Sequence, residues 1–331
     1  MRTILSLITL CLVQTATAQF APQAGVAGTT AISKTSGKFT GWATGCALQR
    51  GWTDINDKSQ GYVTSGDSSW AIGIADAVPV SIGDSGVATL TFAKPLYDGA
   101  GPDFAVFENA FPNPQDPEMA FLELAFVEVS SDGVNFFRFP AICNAPTSPQ
   151  VPGAGVYMNA RLINNLAGKY LGGYGVPFDL QELTGTSGLD INSITHVRLV
   201  DVVGSTGGHA SYDSEGNVIN EPYPTPFPTG GFDLDAVGAF YQHGLFPMGI
   251  GTPGVQKNYV VYPNPATDRL VLTSDEPMQA MLTDISGKQL TTISLTSGAA
   301  EIFLDSYTKG IYLVVLSDSK GNKWVEKITK L

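Results

Sequence analysis

The sequence predicts an all-β fold of two sandwiches in series, and three observations carry that prediction. Glycine and proline are abundant, 37 and 21 in 331 residues, and punctuate the chain where helices would need continuity. Apolar residues follow no helical period long enough for a bundle; Val, Thr, Phe and Tyr recur instead in short runs bounded by turn residues. The texture changes at Tyr259, after a Gly/Pro-punctuated stretch over 244–258 that reads as a linker. A jelly-roll-like sandwich is therefore expected over 19–243 and a smaller, immunoglobulin-like one over 259–331. With 43% hydrophobic content, the chain can give each a core.

Residues 1–18 read as a secretory signal peptide: Met1-Arg2-Thr3 gives a positive start, 4–13 an apolar run, and Ala16-Thr17-Ala18 a small-x-small site with cleavage after Ala18. That apolar run would rise about 15 Å as a helix, roughly half a bilayer core, so no transmembrane segment is expected in the mature chain. Cys11 follows Leu10 where a lipoprotein signal wants a small residue, which argues against lipid attachment. Export leaves Cys46 and Cys143 in an oxidising compartment; a disulfide is favoured over two buried thiols, and closing so long a loop would stabilise by about 4–5 kcal/mol. Expected strands in the first sandwich are 87–92, 104–107, 121–129, 136–140, 194–203 and 232–240, with Ser131-Asp132-Gly133 as a hairpin turn. In the second, Pro263 and Pro265 hold an extended lead-in that cannot join a central ladder, Ser286-Gly287 makes a tight turn and 311–316 is a buried strand.

These C-terminal pieces combine into a pattern: Pro263-Asn264-Pro265, then Asp284-x-x-Gly287-Lys288, then Gly310-Ile311-Tyr312, closing on Lys327-Ile328-Thr329-Lys330. In order and register, it resembles the type A C-terminal sorting domain of the type IX secretion system of Bacteroidetes-type bacteria. The resemblance implies passage through the periplasm, recognition by the type IX machinery and delivery outside the cell or onto its surface. In the preceding region, 101–111, 126–136, 197–204 and 231–237 resemble blocks of a family of secreted or surface bacterial proteins with no settled activity. Its layout is also similar to galactose-binding-like sandwiches, a likeness that bears on fold more than function.

The net charge of −12 belongs to this cargo region: 19–258 holds 10 Lys+Arg against 22 Asp+Glu. Such a field opposes nucleic acid and anionic membranes and favours cations or neutral ligands. Asp233 and Asp235, two apart in an expected strand, should leave one face and share a cation or donor. With Asp103, Glu108 and Asp201 at other strand ends, they make an oxygen-only set suited to Ca²⁺; the alternative is neutralisation by Arg198 and backbone N–H groups. Trp42, Trp52, Trp70 and Tyr62 could form a stacking platform for a glycan, or plug the end of the core. The acidic run 213–221 departs from an EF-hand, since its Gly comes too early, and reads as a solvated hairpin.

Several catalytic readings fail. Gly83-Asp84-Ser85-Gly86 lacks an upstream histidine, since His196, His209 and His243 all follow it. The G-x-G-x-x-G over 249–254 lies in the linker with Pro253 inside it, and the P-loop spacing at 61–68 puts Asp67 where lysine must meet phosphate. Two mature cysteines and three scattered histidines give no zinc spacing. Glu123 and Glu128, five apart in an extended run, should face opposite ways and form no glycosidase pair. The expected function is a secreted or cell-surface, non-enzymatic binding protein, calcium-dependent and glycan-binding. An extracellular polymer hydrolase and a structural surface-layer component are the alternatives.

Overall fold

The computed structural model describes residues 19–153, 155–244, 259–274, 276–284, 288–296, 298–318 and 323–331. The expected signal peptide over 1–18, residues 245–258 of the expected linker and the expected Ser286-Gly287 turn lie outside the described residues.

Two six-stranded antiparallel sheets form the first sandwich. One runs Ile32–Ser33, Tyr174–Phe178, Phe104–Glu108, Asp233–Ala239, Gly41–Trp42, with Val80–Ser81 added beside Asp233–Ala239. The other runs Phe137–Arg138, Ala125–Ser130, Ile194–Asp201, Val87–Leu96, Gly45–Gln49, with Leu166–Ala167 beside Ala125–Ser130. From Val87 onward the strands of five or more residues in this sandwich alternate between the sheets, the jelly-roll-like connectivity expected, and no α-helix occurs among the described residues.

Period-two patterning builds the core between them. In Ile194–Asp201 the inward residues Val197 and Leu199 are fully buried while Arg198 and Val200 are only half-covered. Phe104–Glu108 is buried on both faces: Phe104 and Val106 join the inter-sheet core, whereas Ala105 and Phe107 pack outward under Phe39, Trp42 and Phe240. Each fully buried Val, Leu or Phe side chain here is worth roughly 1.5–3 kcal/mol of transfer free energy. The Ser131-Asp132-Gly133 turn forms as expected, pairing Phe137 with Val129. The Asp132 carboxylate accepts from the N–H groups of Val134 and Asn135 and from Ser130 Oγ, which holds it well below the usual carboxylate range.

Two expectations are corrected here. Residues 121–129 are not one strand: Met119–Phe121 belongs to a small separate sheet, and the ladder restarts at Ala125. Cys46 and Cys143 are free thiols, because Cys46 packs against the inter-sheet core and Cys143 lies in a second apolar cluster with Leu122, Ile163 and Val202. Burial pushes the Cys46 thiol up to about 11 and raises Cys143 too, so neither is poised to react.

Residues 259–331 form a smaller, immunoglobulin-like sandwich. Tyr259–Tyr262, Arg269–Ser274 and Gly298–Phe303 make one sheet; Gln289–Leu295, Met278–Asp284, Gly310–Asp318 and Lys323–Lys330 make the other, around Leu272, Leu282, Val314, Leu316 and Trp324. The two ends of the sorting pattern meet physically. Asn264 Nδ2 donates to the Lys327 carbonyl at 2.7 Å and its Oδ1 accepts from Thr329 N–H at 3.0 Å. Pro263 and Pro265 have no N–H to offer the last strand, so the side chain between them supplies the donor. Tyr312 is mostly buried and its hydroxyl donates to the Thr308 carbonyl. Lys288 N–H donates to Asp284 Oδ1, fixing the described side of the turn.

Candidate functional site

Because neighbouring strands are antiparallel, one end of the first sandwich collects the finish of Phe104–Glu108 and Ile194–Asp201 and the start of Ala125–Ser130 and Asp233–Ala239. Each delivers a carboxyl there: Glu108, Asp201, Glu123 just before its strand, and Asp233. Asp84 and Glu221 join from loops. All but Asp233 are buried. Gly231, in the left-handed region at φ 69°, lets the backbone close on Asp201: a Cβ there would lie 2.7 Å from Asp201 Oδ1. Gly168 (φ 83°) does the same against the Glu123 carbonyl.

Backbone donors hold some of the six. Asp201 accepts from Phe232 N–H (2.8 Å) and Ser85 N–H (3.0 Å), Asp84 from Ile55 N–H (2.8 Å), and Glu221 from Leu124 N–H (2.6 Å). Asp233 accepts from Ser81 Oγ. Glu108 Oε2 is buried without a partner. Among the described residues none of the six forms an ion pair: Arg198 and Arg138 are both engaged by Glu128 at 2.5 and 2.8 Å, and Arg50 by the carbonyls of Ser65, Gly66 and Ser81. Burial first, and the neighbouring carboxyls second, push Glu108, Glu123, Asp201 and Glu221 well above the ordinary range. Burial raises Asp84 and Asp233 to about 6.

Above Glu123 and Asp233 opens a pocket of about 350 Å³. Its walls are Phe111, Phe121, Tyr157, Phe227, Thr225 and Thr229. Phe111 and Phe121 come from the small sheet of Phe111–Pro112, Met119–Phe121 and Met158–Asn159, and Tyr157 directly precedes its third strand. Phe227 stands on a turn closed by Gly230 N–H donating to its carbonyl. Phe111 and Phe227 are 55% and 50% exposed, so the rim is aromatic and the floor acidic.

Of the five carboxylates expected to share a cation, only Glu108, Asp201 and Asp233 meet here. Asp103 lies at the opposite end of the sandwich, accepting from Gly99 and Leu180 N–H groups, both at 2.7 Å. There it joins Asp98 and Asp179, with ligand oxygens all within 4.8 Å of one another. Burial raises Asp103 to about 7, and Asp98 Oδ1 has no partner. Asp235 does not share a ligand with Asp233. The register slips between Leu234 and Ala236, and Asp235 instead accepts from the N–H groups of Asp76 and Ala77.

The four aromatic residues of the expected platform are also dispersed. Trp42 packs on Phe39 and Phe107, Trp52 and Tyr62 stack on each other with centroids 4.2 Å apart, and Trp70 is exposed on a separate short helix.

Sequence reasoning missed Glu123, Asp84 and Glu221. For Glu123 a signal existed: it is the single charge within Ala120-Phe121-Leu122-Glu123-Leu124-Ala125-Phe126. Asp84 sits in the protease-like Gly83-Asp84-Ser85-Gly86, whose role is to cap this nest through Ser85 N–H. Glu221 ends the 213–221 hairpin, which is less solvated than expected: Asn220 and Glu221 are buried.

Residues 260–330 match the family described as the secretion system C-terminal sorting domain. No curated protein matches the sequence. Among solved structures, PorZ, a surface component of the type-IX secretion system of Porphyromonas gingivalis, is 15% identical over 29% of this chain and 14% of its own, with a TM-score of 0.22. A β-glucuronidase from Ruminococcus gnavus in complex with D-glucaro 1,5-lactone is 12% identical over 88% of this chain and 44% of its own, TM-score 0.20. The BSP domain of a biofilm associated protein is 11% identical over 74% and 48%, TM-score 0.20. The chain spans less than half the length of each, and none of these likenesses bears on the pocket. No helix among the described residues is long and apolar enough to cross a membrane. Residues 260–330 are a type IX secretion C-terminal sorting domain, and the chain that carries it is a secreted or outer-surface protein.

Proposed function

We propose that the 19–243 domain is a non-enzymatic binding module carried outside the cell by its sorting domain, and that the pocket over Glu123 and Asp233 is its ligand site, taking a glycan. The observation that carries this reading is the combination of four aromatic side chains with two carboxyl groups in one open pocket. Aromatic walls stack on the apolar face of a sugar ring while carboxyl oxygens accept from its hydroxyls. Calorimetry with soluble oligosaccharides tests it. Phe227→Ala, at a half-exposed position, is expected to weaken binding about tenfold or more, equivalent to about 1.4 kcal/mol, with an unchanged melting temperature. Trp70→Ala and Tyr62→Ala should leave affinity intact; the reverse pattern would move the site to the tryptophans.

Calcium belongs to this reading at the other end of the sandwich, where Asp98, Asp103 and Asp179 converge without a basic partner. Saturating Ca²⁺ is expected to raise the melting temperature by about 5–10 °C over chelator, the effect of an ion at about a hundred times its Kd. Asp98→Asn should abolish that response. Equal melting temperatures with and without Ca²⁺ would remove the ion. Hydrolysis of an extracellular polymer has one observation in its favour: Glu123 and Asp233 share the pocket and both hold their protons more tightly than usual, as an acid catalyst requires. Polymer turnover abolished by Glu123→Gln would replace the non-enzymatic reading.

A further inference from the structure

We propose that the group seated in this pocket is an organic ammonium, held among Phe111, Phe121, Tyr157 and Phe227 with its charge toward Glu123 and Asp233. The inference takes from the glycan reading only the location of the site, and specifies the chemistry that site selects.

Three candidate occupants meet the same surroundings differently. A neutral sugar satisfies hydrogen bonds at the floor but gives the two carboxyl groups no cation against which to ionise. Behind them stand Asp201, Glu221 and Asp84, and the unpartnered Oε2 of Glu108, a side chain only 3% exposed. The carboxyl groups of this end therefore lack a cation against which to ionise, since Arg198 and Arg138 are held by Glu128 and Arg50 by backbone carbonyls. A bare divalent ion would balance it, but needs several carboxylate oxygens converging on one point. Among the described residues that convergence occurs only at Asp98, Asp103 and Asp179. A metal ion would also leave the aromatic walls unused. An ammonium group uses both halves of the pocket: ring faces attract a desolvated cation, and carboxylates accept its N–H or lie against its alkyl shell. A volume of about 350 Å³ admits an amino sugar or a trimethylammonium head group.

The test is calorimetric titration of the full mature chain, with calcium present throughout at saturation, using glucosamine, N-acetylglucosamine, glucose and choline as probes. Glucosamine is expected to bind at least tenfold more tightly than both N-acetylglucosamine, which exchanges the charge for an acetyl group, and glucose, which lacks the nitrogen. Choline should bind and compete with it. Glu123→Gln, which puts a neutral side chain of the same shape in a crowded nest and so should fold at least as stably, is expected to erase the tenfold preference. Phe227→Trp should retain binding and Phe227→Ala should lose it. Choline binding without any sugar binding would sustain the ammonium and discard the glycan. Equal affinity for glucosamine and N-acetylglucosamine would overturn the ammonium and leave the glycan. Silence from every probe would overturn both, and a second calcium equivalent lost in Glu123→Gln would assign the floor to a metal instead.

Discussion

Cells expressing the chain without residues 259–331 are expected to keep the 19–243 domain in the periplasm, with surface and medium fractions falling to background. This is the largest effect foreseen, because the deletion removes the whole sandwich that matches the sorting family while leaving the first sandwich its own core. Immunoblotting of periplasmic, surface and medium fractions measures it; undiminished surface display would refute the sorting role. A graded version follows from the Asn264 clasp. Asn264→Ala deletes two hydrogen bonds between the lead-in and the last strand, worth about 0.5–1.5 kcal/mol each, and should reduce export without abolishing it.

The second large effect is an inverted response of stability to pH. A carboxyl whose folded pKa lies above its unfolded value makes the native state bind protons more tightly than the unfolded chain. Its stabilisation is complete below the unfolded pKa and is lost as pH rises through the folded one. For Asp84 and Asp233 the window runs from the ordinary range near 4 to about 6, and the higher values of Glu108, Glu123, Asp201 and Glu221 extend it upward. Asp84 alone, raised from 3.8 to about 6, corresponds to about 3 kcal/mol. In an amine-free buffer with chelator, the first sandwich is expected to melt about 5–10 °C higher at pH 5 than at pH 8. Asp132, held in the opposite direction, loses its stabilisation only as pH falls below the ordinary carboxylate range, so it adds no slope between pH 5 and pH 8. Glu108→Gln should flatten the profile. A melting temperature that climbs from pH 5 to pH 8 would contradict the description of the nest as unbalanced acid.

Much of the fold is legible in local patterning. Strand Ile194–Asp201 shows its alternation openly, the Ser131-Asp132-Gly133 turn carries its own hydrogen-bond acceptor, and the sorting motif sits in register along the last strands. What escapes is whatever breaks period two or depends on distant chain. A one-residue slip at Asp235 separates it from Asp233, and the break after Phe121 removes Glu123 from a ladder in which it would have been half-solvated. Asp84 and Glu221 are more than a hundred residues apart, and only the packing of loops at one sandwich end unites them. Trp42 reads identically in sequence whether it stands in solvent or, as here, against Phe39 and Phe107.

The Asn264 clasp has a consequence for when the export signal comes into being. Its donor and acceptor close on Lys327 and Thr329, more than sixty residues downstream, and Ala266 continues the contact by pairing with Thr329 and Leu331. The first and last pieces of the motif thus exist as one surface only after the final strand has been synthesised and paired. A chain cut short before Lys327 carries Pro263-Asn264-Pro265 in its sequence but has nothing to close it upon. The sorting pattern is thus a tertiary feature as well as a sequence one: its opening residues find their hydrogen-bond partners only when Lys323–Lys330 is in place.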